Sequence, residues 1–155
     1  MEAPPTNPNG ILFDLSNRNI LCSFTDYDRI ILGSSDHKLY SIDKQSSSHR
    51  CLKHFNNGHK DWVTCVAGVG SGGIVSGCAG GKICAWKKDA KGTNYQLKAE
   101  EMAHFKGGTT ALKNINFDIV ASCGYDGRII VWSTEAKLHA AATLESKDSE
   151  VPILD

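Results

Sequence analysis

Apolar residues in this chain come in short, β-branched runs broken by pairs of turn-forming residues, and three such segments align when the sequence is slid along itself. They are Ile30 to Ile42, Ile74 to Trp86 and Val120 to Trp132. Asp36, Gly80 and Asp126 hold one turn position at offsets of 44 and 46 residues, and Ile42, Trp86 and Trp132 each follow six residues later. A period of that length marks a repeat in which each unit is one supersecondary element. Within each unit Asp36-His37, Gly80-Gly81 or Asp126-Gly127 divides a β-branched run from an alternating one, which predicts a hairpin. A further short apolar stretch lies upstream (Ile20 to Phe24, Val63 to Val66, Thr109 to Leu112) and another downstream (Arg50 to Phe55, Tyr95 to Met102, Lys137 to Leu144). Each repeat is therefore expected to be a four-stranded antiparallel sheet. Ala99 to His104 and Glu135 to Leu144 carry good helix formers, but they fall on the outermost strand of their repeats. That strand needs little apolar content because one edge and part of one face meet water, so strand is predicted at both.

Composition narrows the class. With 155 residues, 41% of them hydrophobic, the chain is long enough to bury a core. Lys plus Arg and Asp plus Glu both total 17, so no global field draws it to nucleic acid or to an anionic membrane. The opening Met1-Glu2-Ala3-Pro4-Pro5 lacks the basic start and apolar stretch of a secretory signal, which makes a cytoplasmic or nuclear protein the expectation. The polar segment Pro4 to Gly10 is expected to be disordered or loosely held. None of the six cysteines (Cys22, Cys51, Cys65, Cys78, Cys84, Cys123) forms a C-x-x-C pair, and Cys22, Cys65, Cys84 and Cys123 lie inside apolar segments. They read as small buried hydrophobes, with no metal and no cofactor expected.

The third unit places Ala103-His104, Ser122, Asp126 and Trp132 in an order and spacing that resembles the WD-repeat (beta-transducin-like) beta-propeller family. The resemblance implies that His104, in the loop before the innermost strand, bonds to Asp126 in the hairpin turn, with Ser122 and the Trp132 indole completing the chain. A buried indole N–H, hydroxyl and carboxylate are tolerable only when they satisfy one another. The second unit has Gly58-His59, Ser76 and Trp86, but Gly80 stands at the Asp position, so His59 must bond elsewhere or to water. The first unit keeps Asp36 but has Leu32 at the Ser position, Ile42 at the Trp position and no Gly-His before it. The resemblance spans roughly Asn17 to Leu144 and implies an all-β fold: a partial β-propeller of about three four-stranded antiparallel blades, with the start of a fourth. The expected divisions are a polar leader with a closing strand at 1–16, blades at 17–58, 59–103 and 104–145, and an incomplete fourth blade at 146–155.

The same residue types occur in other chemistries. Ser122, His104 and Asp126 are the residue types of a hydrolytic triad, yet Ser122 sits between Ala121 and Cys123 with no G-x-S-x-G elbow, so a structural network is expected and no catalytic residue. Gly68 to Gly73 lies between two strands with no helix pattern after it, which favours a flexible hairpin over a phosphate cradle. Lys82, Lys87, Lys88, Lys91 and Lys98 alternate with Asp89, Glu100 and Glu101, a solvated face in place of a nucleic-acid site.

Three blades do not close a ring. Glu150 to Leu154 repeats the apolar spacing of Val63 to Val66, and Ile11 to Leu15 resembles an outermost strand lent to a last blade. Three arrangements stay open: a piece of a longer propeller, copies that complete a ring by association, and an open wedge whose ends other proteins cover. The expected function is a non-catalytic scaffold or adaptor mediating protein–protein interactions. The alternative is a structural subunit of a larger enzyme or ribonucleoprotein assembly, which would use the same faces. Partners are expected to be proteins or peptides, with no membrane. On the face formed by the pre-blade loops and hairpin turns, the binding candidates are His37, Lys60, Asp61, Trp62, Tyr125 and Arg128. Trp62 reads either as an anchor at the rim or as an aromatic packed between blades.

Overall fold

The computed structural model of the chain describes residues 18–44, 52–55, 58–92 and 94–145. The leader strand expected at Ile11 to Leu15, the fourth-blade start at Glu150 to Leu154 and Cys51 lie outside these. Twelve strands form three four-stranded antiparallel sheets in chain order. The first sheet is β1 (Ile20–Thr25), β2 (Arg29–Ser34), β3 (Leu39–Asp43) and β4 (Leu52–Phe55). The second is β5 (Val63–Val69), β6 (Gly73–Cys78), β7 (Lys82–Lys88) and β8 (Tyr95–Met102). The third is β9 (Thr109–Asn116), β10 (Ile119–Gly124), β11 (Arg128–Ser133) and β12 (His139–Glu145). No helix is present among the described residues. Of the helix-forming stretches, Ala99 to Met102 lie in β8 and His139 to Leu144 in β12, an outermost strand exposed along its whole length, while Ala103-His104 and Glu135 to Leu138 are loop and not the strand expected. Backbone pairing with β11 outweighs the small helix propensity of these residues.

The three central hairpins share one turn. His37 (φ 70°), Gly81 (φ 84°) and Gly127 (φ 72°) are left-handed, and each donates its N–H to the carbonyl three residues back, on Ser34, Cys78 and Gly124. This is a tight turn followed by a left-handed residue, which the twist of the two flanking strands favours. Glycine fills that place in two turns; His37 is the non-glycine residue with positive φ among the described residues.

Two hydrophobic layers join the sheets. Between the first and second, Ile31 and Leu39 meet Val66, Ile74, Trp86 and Tyr95. Between the second and third, Val75 and Ile83 meet Val120, Ile130, Trp132 and Leu138. The middle sheet thus buries both faces, which is why β6 is buried from Ile74 through Cys78. Each aliphatic side chain fully removed from water there contributes about 1.5–3 kcal/mol. The innermost strands β1, β5 and β9 stand side by side, with the Thr64 hydroxyl donating to the Thr109 carbonyl and Asn114 Nδ2 donating to the Gly68 carbonyl at 2.9 Å. Around the outside, Arg29 of β2 reaches the Gly92 carbonyl at 2.7 Å, and Lys88 pairs with Asp28 at 3.2 Å. The three sheets do not close on one another. The first sheet keeps Ile30, Leu32 and Ile42 half-buried on its outer face, and the third keeps Ile129 and Val131 half-buried beside an exposed Leu144.

Candidate interaction face

The pre-blade loops and the hairpin turns meet at one end of the strands through a bond repeated in every sheet. The residue before the innermost strand accepts, at its carbonyl, the N–H of the residue before the turn's Asp or Gly: Asn19 from Ser35 at 2.9 Å, Trp62 from Ala79 at 2.8 Å and Gly108 from Tyr125 at 3.3 Å. The loop before each blade is thereby tied to that blade's own turn, and the histidines are held above their hairpins.

In the third sheet the four network residues form one chain. Trp132 Nε1 donates to Ser122 Oγ at 2.8 Å, Ser122 Oγ lies 2.9 Å from His104 Nε2, and His104 Nδ1 lies 2.8 Å from Asp126 Oδ1. Asp126 Oδ1 also takes the Arg128 N–H at 3.1 Å, which ties the acid to its own turn. Because a carboxylate can only accept, the ring N–H sits at Nδ1 and points to Asp126, which leaves Nε2 to accept from the Ser122 hydroxyl, whose oxygen takes the indole N–H. These are also the distances of a hydrolytic triad. Access separates the two roles: His104 is 0% and Ser122 1% exposed, so no substrate carbonyl reaches the hydroxyl.

The second sheet repeats the chain as far as the ring. Trp86 Nε1 donates to Ser76 Oγ at 2.8 Å and Ser76 Oγ lies 2.7 Å from His59 Nε2, but Nδ1 meets Cys84 Sγ at 3.9 Å. Burial, reinforced by the Lys82 charge and opposed by Glu100, pushes the His59 ring down from 6.5 to about 4. In the first sheet Asp36 is served by residues that the repeat pattern did not single out: Arg18 Nε lies 2.6 Å from Asp36 Oδ2, and the Tyr40 hydroxyl donates to the same oxygen. Burial works to raise the Asp36 carboxyl, but the hydrogen bonds from Tyr40 and Ser34 and the Arg18 charge outweigh it and hold it below its ordinary value. The signals were present: Arg18 is a cation in the pre-blade loop, where the other units have histidine, and Tyr40 follows Asp36 by four residues.

The binding candidates divide by environment. His37 and Lys60 are exposed, and Trp62 and Tyr125 are 54% and 51% exposed. Asp61 is half-buried and accepts the Trp62 N–H at 2.7 Å, while Arg128 pairs with Glu145 across β11 and β12 at 3.0 Å. A β-carbon at Gly107 would stand 2.7 Å from Tyr125 Cβ, and one at Gly108 would stand 2.2 Å from the Ala79 carbonyl oxygen. The strip between Trp62 and Tyr125 is therefore floored by Ala79, Gly107 and Gly108. The two aromatics rise from small residues.

At the opposite end of the strands the glycine-rich hairpin spends its amides on carbonyls: Gly70 N–H donates to Phe117 at 2.6 Å and Gly72 N–H to Gly70 at 3.1 Å. Such amides are not presented to an anion. Among the lysines, Lys82 pairs with Glu100 at 3.1 Å, Lys88 pairs with Asp28, and Lys98 donates to Gln96 at 3.1 Å. Cys65, Cys78, Cys84 and Cys123 are buried, and burial pushes the Cys65 and Cys84 thiols up to about 12 and that of Cys22 to about 11. No group of three or more His, Cys, Asp and Glu residues suited to a metal ion occurs among the described residues. Among the described residues no helix is long and apolar enough to cross a membrane.

The WD40 family model, described as WD domain, G-beta repeat, matches residues 49–87 and 100–133, the stretches that hold the His59 and His104 networks. Among solved structures the chain is similar to the WD40 repeats of RRP9, at 20% identity and a TM-score of 0.70 over 89% of this chain and 42% of that one. It is similar to U3-55K at 19% identity, with the same TM-score and the same coverage. It also resembles Saccharomyces cerevisiae Sqt1 at 13% identity and a TM-score of 0.74, over 89% of this chain and 38% of that one. The chain thus spans about two fifths of the length of these structures, and at such identities the likeness is one of fold. A search of curated protein sequences finds no match. The sequence match identifies two WD40 repeats in the chain, at residues 49–87 and 100–133, and the three-dimensional likeness shows that its sheets have the fold of WD40 blades.

Proposed function

We propose that the chain is a non-catalytic interaction scaffold that holds a protein or peptide segment on the face carrying Trp62 and Tyr125. WD40 folds generally serve as protein-interaction platforms, and fold alone does not name the partner. The observation that carries the reading is the exposure of two large aromatics on rigid, backbone-tied positions, separated by a floor of alanine and glycine. Aromatic side chains with few rotamers lose little entropy on binding and dominate interface energies. His37 and Lys60 extend the face toward the first sheet, and Asp61 fixes the backbone of Trp62. Arg128 takes a lesser part because Glu145 already engages it. The pairing of Lys82 and Lys88 with carboxylates favours a protein partner over a nucleic acid.

The test is affinity capture of partners with the intact chain and with Trp62→Ala and Tyr125→Ala, followed by a binding isotherm for any partner identified. Loss of about tenfold or more in affinity on either substitution, with an unchanged melting temperature, is expected. Unchanged affinity in both variants would remove this face from the account.

A further inference from the structure

The second and third blades carry the same indole, hydroxyl and imidazole chain, and they differ at its end. In the third, the ring Nδ1 meets the Asp126 carboxylate at 2.8 Å. In the second, Gly80 stands at the acid's position, and Nδ1 meets the Cys84 sulfur at 3.9 Å, a weak contact. In the tautomer that the carboxylate fixes in the third blade, the serine hydroxyl donates to Nε2 and Nδ1 carries the ring's N–H. That N–H meets no oxygen among the described residues. His59 is only 7% exposed, and in that tautomer its Nδ1–H has the Cys84 sulfur as its one contact among the described residues.

A cavity of about 440 Å³ opens against the same ring, between the first and second sheets, and Asp36, His37, Lys60, Lys82 and Glu100 also line it. Its two carboxylates are already engaged: Asp36 by Arg18 and Tyr40, Glu100 by Lys82. The Lys60 ammonium makes no hydrogen bond or ion pair among the described residues, and His37 is exposed above it. What the cavity has to spare is donors and positive charge. We infer that this cavity is a receptor for a carboxylate, which completes the His59 chain from outside as Asp126 completes the His104 chain from within. The carboxylate arrives on a free organic acid or on an acidic side chain of a bound peptide. Lys60 supplies the charge, and His59 Nδ1 supplies the directed bond. The inference does not depend on the role given to Trp62 and Tyr125.

The experiment follows the His59 ring nitrogens of the full chain by nitrogen-15 NMR at pH 7 during titration with sodium acetate, against sodium chloride and sodium phosphate at equal ionic strength. A saturable shift of Nδ1 with acetate, absent with chloride and phosphate, is expected, together with a rise in melting temperature. Gly80→Asp supplies a tethered carboxylate at the position where the third blade has its own. Gly80 is not left-handed, and a β-carbon there meets Asp61 at an ordinary 3.5 Å, so the variant is expected to fold. Its His59 signal should already be displaced and should ignore acetate. Lys60→Met should weaken acetate about tenfold. A pair of short peptides differing only as Glu and Gln separates the sources: tighter binding of the Glu peptide than of acetate assigns a protein ligand, and equal binding assigns a free acid. A His59 signal unmoved by acetate, or moved equally by chloride or phosphate, overturns the inference. So does an acetate response that persists unchanged in Gly80→Asp.

Discussion

At the scale of single residues, the carboxylate at the end of the third-blade chain carries a definite share of stability. Asp126 accepts from both His104 Nδ1 and its own turn at Arg128 N–H, and its side chain is only 7% exposed. Asp126→Ala should therefore destabilise the protein by about 1–3 kcal/mol, read by chemical denaturation, because two buried donors lose one acceptor. His59 gives a second prediction. The unfolded ring titrates near 6.5 and the folded ring near 4, so between those values the unfolded chain holds the extra proton. Stability should be complete above about pH 6.5 and fall by up to about 3 kcal/mol as the pH drops toward 4. His59→Gln should flatten that slope, and denaturation midpoints at pH 5 and pH 7.5 compare the two proteins. The residues of these chains were legible through the resemblance to the WD-repeat family where the repeat keeps its types. Arg18 and Tyr40 escaped that reading because they do the work of the histidine and tryptophan with different chemistry at different offsets.

At the scale of elements, the junction between the second and third blades is concentrated in Gly81. It is left-handed at φ 84°, its carbonyl accepts the N–H groups of Ala103 and His104 at 2.9 and 3.0 Å, and a β-carbon would stand 1.7 Å from the His104 carbonyl oxygen. Gly81→Ala should cost more than about 2 kcal/mol in thermal or chemical unfolding, since both the backbone conformation and the close approach forbid a side chain. Gly127→Ala is the comparison: it shares the left-handed turn, with φ 72°, and should cost at least the conformational strain of about 1 kcal/mol. Strands were legible from the alternation of apolar residues around Asp36, Gly80 and Asp126. Their ends were less so: β5 and β9 run on to Val69 and Asn116, past the apolar stretches that announce them. Pairing with β6 and β10 extends a strand through residues that carry no pattern of their own.

At the scale of the whole molecule, the two outer sheets differ from the middle one by having, among the described residues, a layer on one side only. Ile129, Val131 and Leu144 share the uncovered face of the third sheet, as their pairing shows: Ile129 opposes Leu144, and Val131 opposes Ala142. On the first sheet Ile30, paired with Ile42, faces the other way from Ile31, which is buried against the second. Apolar faces of this kind are where further sheets pack, whether from this chain or from another. The purified chain is expected to self-associate or to bind an exposed-surface dye, and Leu144→Lys should reduce both, read by light scattering and dye fluorescence. Monodisperse monomers without dye binding, in both proteins, would show that these faces need no cover.

Period and pattern alone determined that the chain makes repeated four-stranded sheets, because side chains of a half-buried strand must alternate and a tight turn must carry residues that tolerate left-handed backbone. The resemblance to the WD-repeat family added which histidine, serine and tryptophan belong to one chain in the second and third units. Only the tertiary structure decided what those residues face. Ser122 is sealed from solvent, His59 borders an open cavity, and Asp36 recruits an arginine from a loop that the spacing left unassigned. The division has a physical cause. Alternation and turn preference act between neighbours along the chain, whereas burial and the supply of hydrogen-bond partners arise where residues distant in sequence are packed together.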